Sequence, residues 1–496
     1  MVGSPVFFIA IPLLVAFIIP LAGYVSKELV RILPGLVLIY LLALSFSLMG
    51  YVMEYGTIVE QIAGWAPPWG INLVYSPFTG FLTTLMLFIG LVIWIYSYRF
   101  KNVDFEEGKK FFILFLMLVT GAVGIVLTGD IFNQFVFIEI TSIAGYALTA
   151  FYRGRDSAEA SFKYLMIGSL SSMFLLLAIA LIYSQLGTLN MADIASKSHL
   201  MLPEFKILAL IFFIIGLGIE AEIFPLNGWA PDAYSQAPGP VGAAFAGIVV
   251  KAGVYAVIRI IFTLFDVEGT HEFLIVAGLI TLLVAEMAAL KQTRLKRMLA
   301  YSSIGQMGLV LIAFGIGTEA GVFAAIFLMF NHAIIKSLLF LSGSYLVYNS
   351  SEKFISEVNG MGKYLPITAV LFSLGAIAIV GMPPFAGFWS KWSVLTAAAH
   401  EGMFMIIGMI LLVSIVELVY YFRIINRIFF FKMEDHIEPK RPTANALIAM
   451  FALGVIILVI GFYPGLITGY IHEASQSLLD KGKYIHDVLS AGVLTR

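Results

Sequence analysis

From Val6 to the neighbourhood of Gly465 the chain alternates long apolar runs with short polar breaks. The runs are roughly 18 to 25 residues long, the length a helix needs to cross a hydrocarbon core of about 30 Å. They are too long for barrel strands, and backbone groups in lipid must be satisfied within the segment. The pattern therefore predicts an all-α polytopic membrane protein of about 14 transmembrane helices. The expected spans begin near Val6, Ile32, Phe78, Phe111, Ile131, Phe162, Lys206, Pro240, Phe273, Leu299, Gly321, Pro366, Met403 and Asn445. The first is expected to be retained as a span, because no basic residue precedes it and no A-x-A site follows it.

Basic residues supply an independent check on this count. With the N-terminus outside, the odd-numbered loops are cytoplasmic. They hold Lys27 and Arg31; Arg99, Lys101, Lys109 and Lys110; Arg153, Arg155 and Lys163. Further on they hold Lys291, Arg294, Lys296 and Arg297; Lys353 and Lys363; and Arg423, Arg427, Lys432, Lys440 and Arg441. These make 20 of the 29 Lys and Arg. Even loops and the tail contribute Lys197, Lys206, Arg259, Lys481, Lys483 and Arg496. Both termini are accordingly expected outside the plasma membrane. The polar excursions Glu54–Ser76, Gly187–Pro203 and Lys432–Thr443 are too short to fold alone, and the tail after Tyr470 reads as a short surface helix or a frayed end.

Composition agrees: 60% hydrophobic and 12% charged residues, with a mean hydropathy of +0.98, against about 45–50% and 25% in soluble domains. There is no cysteine, so the chain carries no thiolate-bound cluster and no disulfide. Of its seven histidines only His332 falls inside a span, which argues against a bis-histidine haem. Electrons, where they are involved, travel through a partner. The basic run KQTRLKR (Lys291–Arg297) reads as a topology anchor beside anionic headgroups, not as a nucleic-acid site. Scarce Asn and Gln hint at a thermophile.

Two segments echo each other. FPLNGW (Phe224–Trp229) and PPFAGFW (Pro383–Trp389) each follow an apolar half-span and lead through Gly and an aromatic into another. They fall in the seventh and twelfth spans, five apart and thus of opposite orientation. In the spans that follow, Lys251 precedes Tyr255 by four residues, and Glu417 precedes Tyr421 by four. Inverted repeats with Pro-broken helices at matching positions are a signature of ion transporters.

The charges inside the spans carry the chemistry. Each costs about 2.5–3.5 kcal/mol on insertion scales, and by default marks an ion or proton path. They are Glu139, Glu220, Glu222, Lys251, Glu286, His332, Lys336, Lys391 and Glu417. Plain alternatives exist for several. Glu139 could pair structurally with a buried lysine, and Lys251, following Gly247, could snorkel. His332 and Lys336 are one helical turn apart, as a relay or as a packing pair. Glu417 has Arg423 nearby, and Glu286 has Lys291 as a ready salt-bridge partner. Glu220 and Glu222 are separated by about 200° on a regular helix, so only one of them should face Glu139.

Taken in order, GDIFNQFVFIEITSIAGYAL, FPLNGWAPDAYSQAPGPV, VVKAGVYAVIR, LKRMLAYSSIGQMG, NHAIIKSLLFLSG and GMPPFAGFWSKW resemble one family. It is the antiporter-like membrane subunits of complex I (NADH:quinone oxidoreductase subunits L, M and N). Mrp-type cation/proton antiporters share it, as do the corresponding subunits of energy-converting membrane-bound hydrogenases and sulfane sulfur reductases. The resemblance spans roughly Val74 to Gly465 and implies fourteen helices with two inverted five-helix repeats. The organisation expected is an N-terminal three-helix segment (1–110), a first half-channel repeat (111–262), a second inverted one (263–431), and a C-terminal helix and tail (432–496).

By this resemblance Glu139 matches the fifth-helix glutamate that pairs with a lysine at the break of the seventh helix. Lys251 matches the central eighth-helix lysine, and His332 and Lys336 fall among polar relay positions. Lys391 matches the twelfth-helix lysine. The chain departs from the family at Glu220, which stands where the family carries lysine, five residues before Pro225. Like charges close together cannot both ionise cheaply. Glu139 and Glu220 are therefore expected either to share a proton or to offer oxygen ligands to sodium, unless this half has lost pumping.

The function implied is an ion-translocating (proton and/or sodium) subunit of a redox-driven, complex-I-related respiratory complex, of archaeal hydrogenase or sulfur-reductase type. The redox cofactors, Fe–S clusters or a metal centre, are expected in partner subunits, and the other partners are membrane subunits and lipid. A Mrp-type Na+/H+ antiporter subunit is the runner-up. A non-pumping scaffold joining a redox module to another antiporter module is a reading of a different class.

Overall fold

The computed structural model describes residues 3–99, 104–265, 267–348, 354–433 and 439–491. Of the topology-marking basic residues, Lys101, Lys353 and Arg496 lie outside them. Helices α1 (Phe7–Val25), α2 (Lys27–Tyr55), α3 (Pro77–Ser97), α4 (Phe105–Leu127), α5 (Ile131–Thr149) and α6 (Arg155–Leu186) open the chain. A short α7 (Met191–Lys197) precedes α8 (Pro203–Glu220) and α9 (Ala230–Gln236). Then come α10 (Gly239–Leu264), α11 (Thr270–Lys291), α12 (Leu295–Gly315) and α13 (Glu319–Leu346). The chain continues through one turn, α14 (Met361–Tyr364), α15 (Pro366–Val380), α16 (Ala386–His400), α17 (Phe404–Phe430) and α18 (Ala444–Phe462). It closes with α19 (Gly465–Leu479) and α20 (Lys481–Ser490).

Among the described residues twelve helices are long and apolar enough to cross a membrane. The expected seventh and twelfth spans are pairs of shorter helices: α8 and α9 separated by residues 221–229, and α15 and α16 separated by 381–385. Pro225 and the pair Pro383–Pro384 fall inside these breaks, where a missing N–H and a fixed φ end a helix. Helices begin a few residues before the apolar runs because polar caps start them. Ser26 accepts from the Glu28 amide, and Asp104 accepts from that of Glu107.

The fold is predominantly helical, with one short ladder inside the Glu54–Ser76 excursion, where β1 (Ile58–Gln61) pairs antiparallel with β2 (Asn72–Tyr75). Of the two readings of the tail the helical one holds for the described residues, and α19 and α20 bury Ile471, Ala474, Leu478, Tyr484 and Val488.

Loop contacts sort the ends of the helices onto two faces. On one, Asn190 donates to Asn72 at 2.7 Å, and the Gly129 amide donates to the Asn72 carbonyl at 2.9 Å. The same face gathers the first and last described stretches, with Ser4 against Glu60 at 2.5 Å and Gln61 donating to the Ala491 carbonyl at 3.0 Å. On the other face Asp232 takes Lys163 at 3.0 Å and Arg297 at 2.5 Å.

The most buried part of the bundle is its middle. α10 is buried throughout, and α12 and α13 nearly so, whereas α1, α6 and α17 turn broad apolar faces outward, as lipid-facing helices do.

Candidate functional site

All nine intramembrane charges point inward. Eight are buried, and Glu139 is half-buried. The first group forms where α5 meets the end of α8. Ser172, on α6, donates to Glu139. The Ser142 hydroxyl stands 3.4 Å from both oxygens of Glu220. Glu139 is the foremost charged neighbour of Glu220, and among the described residues neither forms an ion pair with a lysine. The two carboxyls are thus set among the hydroxyls of Ser142 and Ser172, with Tyr146 and Tyr164 as further neighbours of Glu220.

Glu222 is not on the helix. α8 ends at Glu220, and Glu222 adopts φ 59°, a left-handed backbone. The separation expected for a regular helix therefore does not apply, because the chain has already turned. Its Oε1 accepts from the Tyr234 hydroxyl at 2.7 Å, and Lys251 and Lys336 are its charged neighbours across the break.

The second group is on α10. A π-turn at Phe245–Val249 loosens the helix just before Lys251, and such bulges frequently mark functional positions. Here Lys251 Nζ donates to the Ala246 carbonyl at 2.6 Å and meets Nδ1 of His332. Nε2 of His332 lies 3.2 Å from the Ser303 hydroxyl. Lys251 is fully buried and cannot snorkel.

One turn along α13, Lys336 reaches the Leu299 carbonyl at 3.3 Å and the Tyr421 hydroxyl at 3.1 Å. Tyr421 lies 3.0 Å from Ser302, Ser302 lies 2.8 Å from Tyr420, and Tyr420 donates to Glu286 at 2.8 Å. Lys336 and Glu286 are so joined through three hydroxyls. Glu286 makes no salt bridge to Lys291 among the described residues; its charged neighbours are Glu417, Lys336 and Lys391.

The third group closes the row. Lys391, on α16 beyond the second break, pairs with Glu417 and donates to the Val380 carbonyl at 3.1 Å. Gln306 donates to the other oxygen of Glu417. Arg423 turns away to the Gln292 carbonyl at 3.3 Å, so the cation of Glu417 is Lys391.

Sequence reasoning missed Ser142, Ser172, Tyr234, Ser302, Ser303, Gln306 and Tyr420. Serine and tyrosine occur throughout apolar helices, often bonding a carbonyl one turn back, so they carry little signal alone. The LAYSSIGQMG run held three of them.

Buried ionisable groups that form a row from broken helix to broken helix limit what the chain can be. The model for the transmembrane region of NADH:quinone oxidoreductase and Mrp antiporter subunits matches residues 128–417. The chain belongs to that family. It is 34% identical to NADH-quinone oxidoreductase subunit N of Desulforudis audaxviator, over 92% of this chain and 95% of the relative. To the D-type subunit of the Na(+)/H(+) antiporter of Alkalihalophilus pseudofirmus it is 30% identical, over 97% and 98%. A chain of the membrane-bound sulfane sulfur reductase, an archaeal respiratory membrane complex, superposes with a TM-score of 0.91 at 39% identity, covering 97% of this chain and 99% of that one. This is an antiporter-like membrane subunit. Among its described residues no three His, Asp or Glu side chains converge as a metal site.

Proposed function

We propose that this subunit translocates ions within a redox-driven, complex-I-related respiratory complex of the archaeal hydrogenase or sulfur-reductase type. The observation that carries the proposal is the buried row from Lys251 through His332, Lys336 and Glu286 to Lys391 and Glu417: Lys251 meets His332, Lys336 is joined to Glu286 through hydroxyls, Lys391 pairs with Glu417, and the three clusters are charged neighbours of one another. Burying charge in lipid is costly, and a packing role would be met at lower cost by apolar side chains.

In this reading fourteen spans comprise two inverted five-helix repeats at 111–262 and 263–431, each with one broken helix. Both termini face outward from the plasma membrane, on the face where Ser4, Gln61 and Ala491 meet. The redox centres sit in partner subunits, and other membrane subunits flank this one. Charge-state changes move along the row: when the Lys391–Glu417 pair opens, Lys336 and Glu286 feel the change through space and through the tyrosine–serine string.

The Glu139–Glu220 pair takes up the ion, either as a shared proton or as sodium held by the two carboxyls with Ser142 and Ser172. The similarity to the Na(+)/H(+) antiporter relative supports a second reading, an antiporter component without a redox partner.

The test is transport by the intact complex in vesicles, with Lys251→Ala and Lys391→Ala. Both variants are expected to assemble and to lose coupled transport; a non-pumping scaffold would keep it. Copurifying iron–sulfur proteins favour the redox-driven reading, and small membrane subunits alone favour the Mrp type.

A further inference from the structure

Hydrogen bonds do not run unbroken along this row: among the described residues none joins His332 to Lys336, or Glu286 to Glu417. Among the described residues no hydrogen bond joins the Glu139–Glu220 group to the Lys251–His332 group. Glu222 is a charged neighbour of both groups, of Glu220 in the first and of Lys251 in the second, and of Lys336 beyond. The break and α10 are in backbone contact there: a Cβ at Gly253 would lie 2.5 Å from the Glu220 carbonyl oxygen.

Two departures from ordinary structure coincide on this residue. Its backbone is left-handed, at φ 59°, a conformation glycine adopts freely and other residues rarely. Its Oε2 is buried without a hydrogen-bond partner among the described residues, while Oε1 is held by Tyr234. Buried polar atoms are nearly always paired, and an exception in a native interior calls for a reason. A glycine would suit the turn and a small apolar residue would suit the burial. A glutamate with one free oxygen, two residues past the end of α8, suits the transfer of charge.

We propose that Glu222 is a third translocating carboxylate, passing a proton between the Glu139–Glu220 pair and Lys251. The proposal rests on the reading of this chain as an ion-translocating subunit. In the forward step a carboxylic acid at Glu220 gives its proton to the Glu222 carboxylate, and Glu220 is left as carboxylate. The O–H bond at Glu222 Oε2 then breaks as an N–H bond forms at a neutral Lys251 amine. The result is a carboxylate beside an ammonium, and the proton moves on to His332 Nδ1, with which Lys251 is in contact. Tyr234 keeps its bond to Oε1 in both states, so only Oε2 exchanges a proton.

The experiment uses the whole complex in vesicles and measures ions moved per turnover for E222Q, E222D and Lys251→Ala. E222Q keeps the shape and loses the exchangeable proton. It is expected to assemble and to lose as much translocation as Lys251→Ala, while E222D retains a measurable part. In the unaltered complex, N,N′-dicyclohexylcarbodiimide, which attacks buried protonated carboxyls, is expected to leave an adduct on Glu222. A carboxylate that only balances the charge of Lys251 would leave none, and that result overturns the proposal. Normal transport in E222Q with transport lost in Lys251→Ala overturns it alone. Normal transport in all three overturns the ion-translocating reading as well. If E222Q fails to assemble, the carbodiimide adduct on the unaltered complex decides.

Discussion

Replacing Lys391 with methionine removes one ammonium while keeping an unbranched side chain of similar length. Glu417 is fully buried, and its partners are Lys391 and the Gln306 amide. The variant leaves it a buried carboxylate with one neutral donor. Losing one partner of a buried pair costs about 3–5 kcal/mol, because the remaining charge is neither solvated nor compensated. The double variant Lys391→Met with Glu417→Gln has no unpaired charge and leaves two amides that can bond each other, so most of that stability should return. Transport should not return, because no ionisable group remains at that end of the row. A barrier raised by the same 3–5 kcal/mol slows the step by about two to three and a half powers of ten. Thermal unfolding of the purified complex reads the first quantity, and ion uptake by vesicles reads the second. The single variant is expected to lose both, and the double variant to regain stability alone. Recovery of transport in the double variant would make the pair a packing element. An unchanged unfolding midpoint in the single variant would refute the unpaired-charge reasoning.

Tyr421→Phe removes the hydroxyl that joins Lys336 to Ser302; transport should fall at a stability cost of about 1–3 kcal/mol, and an unaltered rate contradicts the string. Glu220→Lys sets an opposite charge beside Glu139 and should change the sodium dependence of transport. If transport and its sodium dependence both stay as they were, neither the shared proton nor the sodium site stands. Gly387→Ala would put a Cβ 1.9 Å from the Ala378 carbonyl oxygen, so the two halves of the second broken helix must part and assembly should suffer; normal yield and transport would mean the contact is not needed. Asp232→Asn removes pairs with Lys163 and Arg297 that are partly exposed, so the loss of stability should be small and should shrink with added salt; a large loss that salt leaves unchanged would show these pairs hold the two loops together.

What was legible in the sequence is what lipid penalises. The apolar runs, the inward charges and the proline breaks each answer to a cost of several kcal/mol, and α8–α9 and α15–α16 lie where those costs put them. What stayed hidden costs little or depends on local backbone. The string through Tyr421, Ser302 and Tyr420 uses hydroxyls that an apolar helix tolerates anywhere. The β1–β2 ladder is four residues a side, too short to carry a period of its own. The π-turn before Lys251 has no proline to announce it, yet it leaves the Ala246 carbonyl free for the lysine. The rotation of about 200° between Glu220 and Glu222 presumed a regular helix, whereas the chain leaves α8 at Glu220 and Glu222 turns to Tyr234.

That departure from a regular helix bears on mechanism. The two ends of the row are chemically unlike. Lys391 and Glu417 are opposite charges in contact, so their end can be neutral with both groups ionised. Glu139, Glu220 and Glu222 are three carboxyls that form no ion pair with a lysine among the described residues, and the cations that neighbour Glu222 are Lys251 and Lys336, from the middle of the row. Charge at the first end therefore cannot change without changing the field at Lys251 and, through Glu222, at Lys336. Lys336 in turn has Glu286, Glu417 and Lys391 as charged neighbours. A glutamate at position 220 therefore does not isolate the first half: through Glu222 it is coupled to the central lysines, Lys251 and Lys336.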